Sequence, residues 1–298
     1  MNPHSEQLSL SSSPRALVFG ATGAIGQQVC DLLVKQGWKL VAITRTHHSQ
    51  QCAEIEWRQA ELPNVALAGE RFDAIISCGP LSLFADWLAQ ADVQCSRIVA
   101  FSSTSVHVKQ SSPDAAEREL MGRLLQAEAQ LVSLSKSKSL AVTILRPTLI
   151  YGSGMDRNIS RIASIAKRYG FFVLPHDALG LRQPVHAADL AQAAVAAIAR
   201  TETGARSYDL TGGETLSYRA MTARILAELK PSVRLIVLPG YLFQVMAKVA
   251  RLLGVHDAGV AVLARMREDL VFDDSAARAE LGYEPRPFKV DVSMLNMK

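Results

Sequence analysis

Short β-rich apolar runs alternate with helix-length amphipathic stretches along the first half of the chain, which predicts a parallel sheet covered by helices on both faces. Strands are expected at Ala16–Phe19, Lys39–Thr44, Ala74–Cys78, Ile98–Ser102 and Val142–Leu145, with helices near Ile25–Gln36, Leu81–Ala91 and Asp114–Leu134. The first helix carries Ile25, Val29, Leu32 and Leu33 on one side, and Gly37 follows where a glycine just past the end would stop it. Past Tyr151 the alternation weakens. Helical patterns at Asp156–Tyr169, Ala187–Arg200, Tyr218–Leu229, Tyr241–Leu253 and Ser275–Leu281 are joined by short strands and Gly/Pro turns. This predicts a smaller α/β lobe interleaved with the end of the sheet domain, without repeats or a low-complexity linker. The expected division is a flexible tail over 1–14, a sheet domain over 15–155 and 182–203, and the smaller lobe over 156–181 and 204–298.

Composition narrows the class. With 49% apolar and 20% charged residues in 298, the chain has the makings of a sizeable core and is not a disordered polymer. The formal charge is only +4 and no Lys/Arg block stands behind it, so nucleic acid is not an expected partner. The most apolar stretch, Tyr241–Val255, is broken by Lys248 and Arg251 and falls short of the roughly 18 residues of a membrane span. The Ser-rich start lacks the apolar stretch of a signal peptide, and Cys30, Cys52, Cys78 and Cys95 form no CxxC pair. Reduced thiols in a cytoplasm are expected, and neither the cysteines nor the seven histidines have metal-ligand spacing.

Gly20-Ala21-Thr22-Gly23-Ala24-Ile25-Gly26 follows the first strand directly and opens the first helix. In that setting small residues let backbone N–H groups approach a pyrophosphate, and the helix N-terminus favours its negative charge. The glycines alone fit an ordinary tight turn, whereas strand, glycines and helix together point to a dinucleotide. The second strand ends in Thr44-Arg45-Thr46, with no carboxylate to meet the ribose of NAD. An arginine flanked by hydroxyls suits the 2′-phosphate of NADP, which is the expected cofactor, with NAD as the other candidate. A solvated loop role for Arg45 stays open.

With these residues the chain resembles the short-chain dehydrogenase/reductase superfamily, in particular its extended, epimerase/dehydratase-like branch. The resemblance rests on Gly20–Gly26, on Phe101-Ser102-Ser103-Thr104-Ser105-Val106, and on Leu145-Arg146-Pro147-Thr148-Leu149-Ile150-Tyr151-Gly152. Gln183-Pro184-Val185-His186-Ala187-Ala188-Asp189-Leu190-Ala191 and Leu281-Gly282-Tyr283-Glu284-Pro285 follow in the family's order, so the likeness runs from about residue 15 to 287. It implies a Rossmann-type doubly wound sheet that binds NAD(P) and a C-terminal lobe that closes over a small-molecule substrate, often a sugar nucleotide. It also implies that Glu61 and Leu62 lie near the adenine, Cys78, Gly79 and Pro80 near the adjacent ribose and phosphate, and Pro147 and Thr148 near the nicotinamide, with Ser102 a further cofactor-binding residue. Glu61 departs from the family's usual aspartate.

The family's proton-transfer pair is missing. Its members carry a Tyr and a Lys four residues apart on the helix after the fifth strand, which puts both on one face. Here no tyrosine precedes Tyr151. If Glu128 is the glutamate that usually follows the lysine by four, the pair's positions are Leu120 and Leu124, which continue through Ala127 and Leu131 as an apolar stripe expected to pack in the core. Ser103 fills the family's serine position and His107 stands where a tyrosine often follows the strand, so these two are the catalytic candidates. A surface role for His107 stays open. Asp114 and Glu117 have capping-box spacing, Tyr151 either lines the cleft or packs, and Arg157 and Arg182 are candidates for an anionic substrate.

Two functions follow. One is an NADP-dependent oxidoreductase or epimerase/dehydratase relative with divergent proton-transfer residues. The other is a catalytically inactive sensor or structural subunit that holds NADP(H) without exchanging hydride. Tyr241–Val255 reads as core or as a homodimer contact, with a membrane-surface or quinone-facing helix as the further alternative.

Overall fold

The computed structural model describes residues 13–46, 52–112, 114–154, 156, 158–252 and 266–295. The expected tail lies almost wholly outside them, as do His47, His48, Arg157 and residues 253–255 of the apolar stretch. Seven strands form one parallel sheet: β1 (Arg15–Phe19), β2 (Lys39–Thr44), β3 (Ile55–Gln59), β4 (Ala74–Ser77), β5 (Arg97–Phe101), β6 (Ala141–Pro147) and β8 (Gly204–Leu210). Their order across the sheet is β8-β6-β5-β4-β1-β2-β3, so the winding reverses between β1 and β4. This is the Rossmann-type arrangement, and such sheets present a crevice at the carboxyl ends of the strands beside that reversal.

Period-two alternation sorts the core into two layers. Ala16 and Val18 of β1 face α1 (Ala24–Lys35) and α6 (Ala187–Ile198), while Leu17 and Phe19 face α2 (Leu81–Gln90) and α4 (Ala115–Ser137). Phe19 packs edge-on against Phe84 and Trp87 of α2 at ring separations of 5.6 and 4.7 Å. Burying each such large side chain contributes about 1.5–3 kcal/mol. Between α2 and α4 the chain forms the single turn α3 (Ser105–Val108) just past β5.

The smaller lobe is built on a parallel pair, β7 (Phe171–Pro175) with β9 (Arg234–Leu238). The helices α5 (Ile159–Tyr169) and α7 (Tyr218–Ala227) pack with it around Ile162, Ala166, Ile225 and Leu226. Phe243 of α8 (Gly240–Leu252) seats on Val173 and Leu238, and Tyr241, Leu242, Val245 and Met246 on the same helix are exposed. No described helix is long and apolar enough to cross a membrane.

Two elements depart from the expected division. Residues 204–210, expected in the lobe, form the edge strand β8 of the main sheet, paired with β6 from Gly204↔Ala141 to Leu210↔Pro147. The helix α9 (Ser275–Leu281) and Tyr283 likewise return to the sheet's core. Edge position explains β8: with one edge unpaired, Gly-Ala-Arg-Ser-Tyr-Asp-Leu has only Tyr208 and Leu210 fully buried, so its hydrophobic signal is weak.

Candidate functional site

The three glycines of the first turn do different jobs. Gly20 has φ +68°, and a Cβ there would stand 2.8 Å from the Cys78 carbonyl carbon, so the turn lies directly on the end of β4. A Cβ on Gly26 would overlap the Gly20 carbonyl oxygen and come within 2.8 Å of the Ala21 Cα, so α1 seats tightly on the turn. Gly23 is the N-cap of α1, its N–H donates to the Gly20 carbonyl at 2.9 Å, and no side chain caps the helix. As the first residues of α1, Ala24, Ile25 and Gly26 have N–H groups without intrahelical acceptors, with Ala21 buried and Thr22 half-buried in the turn before them.

The neighbouring strand ends converge there. The Cys78 N–H donates to the Phe19 carbonyl, and desolvation, with Cys30 beside it, pushes the Cys78 thiol well above its usual range. Gly79 has open space around it and Pro80 is the N-cap of α2. The Ser77 hydroxyl on β4 and the Ser102 hydroxyl just past β5 are both buried without a hydrogen-bond partner among the described residues. Orphaned buried hydroxyls are uncommon, and two at adjacent strand ends mark a place suited to an external polar ligand. At the next strand end, the Thr148 N–H donates to the Leu210 carbonyl and its hydroxyl to the Gln183 carbonyl. The donor set fits a dinucleotide lying across the β1/β4 reversal.

On the outer side, Arg45 follows β2 with its side chain 80% exposed, and its guanidinium approaches the Glu61 carboxylate at 3.9 Å. Thr44 is buried and its hydroxyl donates to the Thr46 carbonyl. Leu62 is half-buried against the α2 side of the core.

Beyond β5 the two catalytic candidates have different partners. The Ser103 Oγ accepts the Ser105 N–H at 3.2 Å and remains half-buried, while Thr104 is buried with its hydroxyl on the Pro147 carbonyl. His107 projects from α3 toward β8, where its Nε2 meets the Asp209 carboxylate at 3.0 Å. Asp209 is in register with Arg146 of β6, and the Arg146 Nη1 approaches it at 4.0 Å. Arg146 Nε and Nη2 both donate to the Glu128 carboxylate of α4, which is buried; that pairing raises the arginine further above its usual range. A chain of four charged or titratable groups thus runs from the core to the strand ends. Asp209 has no local sequence signal, since its partner lies 102 residues away.

Leu120 corrects the expected core stripe. Leu124 is half-buried and Ala127 and Leu131 are buried, but Leu120 is 47% exposed. It sits one turn nearer the helix start than the sheet contacts reach. The residue standing in for the tyrosine is therefore not a core residue.

Several candidates are held by structure. Arg182 is buried and donates to the Leu181 and Glu268 carbonyls at 2.7 Å, over the Tyr218 ring, which removes it as a substrate contact. Tyr151 is buried between His186 and Phe288, its hydroxyl accepts the Lys289 N–H, and burial raises its pKa. Asp114 caps α4 by accepting from the Ala116 N–H, whereas Glu117 turns to Ser112 and Lys109 instead of completing a box. Asp189 accepts the Arg286 N–H and guanidinium at 3.0 and 2.7 Å.

Comparison with known proteins agrees with this geometry. A family model described as NAD(P)H-binding matches residues 20–201. The uncharacterized protein YbjS of Escherichia coli (strain K12) is 29% identical over 182 residues, covering 57% of this chain and 50% of that protein. The chain therefore spans about half the length of the curated relative it matches. Among solved structures, UDP-glucuronic acid 4-epimerase from Bacillus cereus in complex with NAD superposes with a TM-score of 0.67 at 15% identity, covering 95% of this chain and 96% of that one. UDP-N-acetylglucosamine 4-epimerase from the same organism gives 0.63 at 17% identity, with 96% and 94% covered. A nucleoside-diphosphate-sugar epimerase from Pseudomonas aeruginosa gives 0.64 at 22%, with 95% and 94% covered. At these identities the likeness shows the fold.

Proposed function

The chain belongs to the NAD(P)H-binding family, and from that premise we propose that it exchanges hydride between NADP and a small molecule carrying a secondary hydroxyl or carbonyl, with Ser103 and His107 serving the substrate oxygen. The observation that carries a catalytic reading is the 3.0 Å contact between His107 and Asp209. It gives the chain an imidazole with a carboxylate partner at the sheet's carboxyl edge, where the family's tyrosine and lysine are lacking.

In this reading the N–H groups along Gly20–Gly26 and the start of α1 hold the pyrophosphate. Arg45 meets the 2′-phosphate once it turns from Glu61, which itself lies with Leu62 on the adenine side. Cys78, Gly79 and Pro80 flank the adjoining ribose, and Ser102, Pro147 and Thr148 flank the nicotinamide. The bound nicotinamide supplies the hydride acceptor or donor. The Ser103 hydroxyl donates a hydrogen bond to the substrate carbonyl oxygen, or accepts from its alcohol form, and so fixes its position. His107 takes the proton from the alcohol or returns it to the carbonyl oxygen. The epimerase neighbours favour a sugar nucleotide as the substrate class, bound between the sheet edge and a lobe comprising 156–181 and the residues after β8. A reducing cytoplasm suits the four cysteines, which are all unpaired.

The test is to incubate the purified protein with NADPH deuterated at C4, on each face in turn, together with a small-molecule extract, and to follow the label by mass spectrometry. Protein-dependent deuterium in one metabolite is expected. Nucleotide that binds but passes no label, with NADH as well, would refute hydride exchange and favour a nucleotide sensor.

A further inference from the structure

We propose that Asp209 is a positioning residue that fixes the His107 ring in one tautomer and orientation for proton transfer, a role that rests on the hydride-exchange reading above. A carboxylate only accepts, so the 3.0 Å contact puts the hydrogen on Nε2 and leaves the Nδ1 lone pair directed away from Asp209. The contact differs from a loose surface ion pair, because Asp209 is anchored from behind. Its side chain is 18% exposed, it lies in register beside Arg146, and Arg146 is tied by two donors to the buried Glu128. The Phe272 ring lies 5.8 Å from the imidazole on a further side. The charged groups around the ring's network are thus Asp209 on β8, Arg146 on β6 and Glu128 on α4, while Lys109, just past α3, is engaged by Glu117.

In alcohol oxidation the substrate O–H bond breaks and its proton bonds to Nδ1. The electron pair left on oxygen forms the C=O bond as the carbon's hydrogen departs as hydride to the nucleotide. The imidazolium keeps its Nε2–H on Asp209, whose negative charge offsets the new positive one. Reduction runs the same path backwards. The third group in the relay, Arg146, faces the Asp209 carboxylate from the neighbouring strand at 4.0 Å and so helps to hold it in place.

Diethyl pyrocarbonate, which attacks an unprotonated imidazole nitrogen, tests the pairing without any substrate. Peptide mass spectrometry at pH 8 follows carbethoxylation of His107 in the intact protein and in Asp209→Asn and Asp209→Glu. A positioning carboxylate makes Nδ1 the better nucleophile, so Asp209→Asn should slow the modification by about threefold or more, with Asp209→Glu closer to the unaltered rate. An unchanged rate, or a faster one as expected if Asp209 merely shields the ring, overturns the proposal. NADPH binding shows that the variant is folded. Should Asp209→Asn not fold, the unaltered chain decides: His107 must react faster than the exposed His176 in the same digest, and equal or slower reaction refutes the pairing. With the labelled nucleotide, Asp209→Asn should lower kcat about tenfold or more at unchanged KM. Absence of label transfer in the unaltered protein, with the carbethoxylation result intact, would refute the hydride reading and leave the pairing standing.

Discussion

Replacing Arg146 by methionine removes the partner of a carboxylate that the fold cannot otherwise accommodate. Glu128 is 5% exposed and takes two charge-assisted hydrogen bonds from one guanidinium. With Arg146→Met it is left as a buried charge with its partner gone, a change that costs about 3–5 kcal/mol, or roughly two to four powers of ten in the folding equilibrium. The reverse deletion is milder. In Glu128→Leu the guanidinium, half-buried and only 4.0 Å from Asp209, turns to that carboxylate and to water, so about 1–3 kcal/mol is expected. Removing both ends in Glu128→Leu/Arg146→Met leaves no orphan and should recover most of the single-variant loss. Urea unfolding of the nucleotide-free protein, followed by circular dichroism and tryptophan fluorescence with coincident transitions, gives the three differences. An Arg146→Met loss below about 1 kcal/mol, or a double variant as unstable as that single one, would refute the claim that this pair is a buried and desolvated one.

Gly26→Ala should weaken NADPH binding by about tenfold or more in a fluorescence titration, because its Cβ meets the Gly20 carbonyl and forces α1 off the turn; Gly122→Ala, open-sided on α4, should instead add about 0.5–1 kcal/mol of stability. Arg45→Glu should lower affinity for NADPH by about tenfold or more and leave NADH binding nearly unchanged, without altering stability; an unchanged ratio of the two would remove Arg45 from the 2′-phosphate site. His186 accepts the Ala188 N–H through Nδ1 and buries Nε2, so desolvation, with repulsion from Arg286, depresses its pKa. The unfolded chain then binds the proton first, and His186 stabilises the fold fully above pH of about 6.5 and loses that contribution as pH falls toward its lower folded value. Melting temperatures at pH 7.5 and 5.5 should therefore differ less in His186→Asn than in the unaltered protein, and equal differences would refute this sign.

The sheet was legible where both faces of a strand are covered, since Ala16–Phe19, Lys39–Thr44 and Val142–Leu145 are almost uninterrupted apolar runs. Edge strands escape that rule. The Ile55–Gln59 run alternates with charged residues, and 204–210 buries only two of seven side chains, so neither stands out from loop. The glycine turn could be recognised from spacing because its constraints are local. His107 could be nominated from its place after β5, but its carboxylate comes from an edge strand far along the chain, and only pairing of β8 with β6 brings the two together. Leu120 shows the same limit in reverse. Helical periodicity puts it on a stripe with Ala127 and Leu131, yet periodicity carries no information on where the packing partner ends.

Residues 275–295 reach both halves of the molecule. Ala277 and Tyr283 complete the layer beneath α1 and α6, the Tyr283 hydroxyl donates to the Thr211 carbonyl, and Phe288, Val290 and Leu295 seal the lobe. A ribosome delivers this stretch only after the strands and helices it packs against have been made, so neither half can finish its interior during synthesis of the earlier chain. The contacts are also among the longest in sequence separation, which slows assembly. The nascent polypeptide must therefore wait with two unfinished apolar layers exposed, and that interval is its exposure to chaperones, proteases and aggregation.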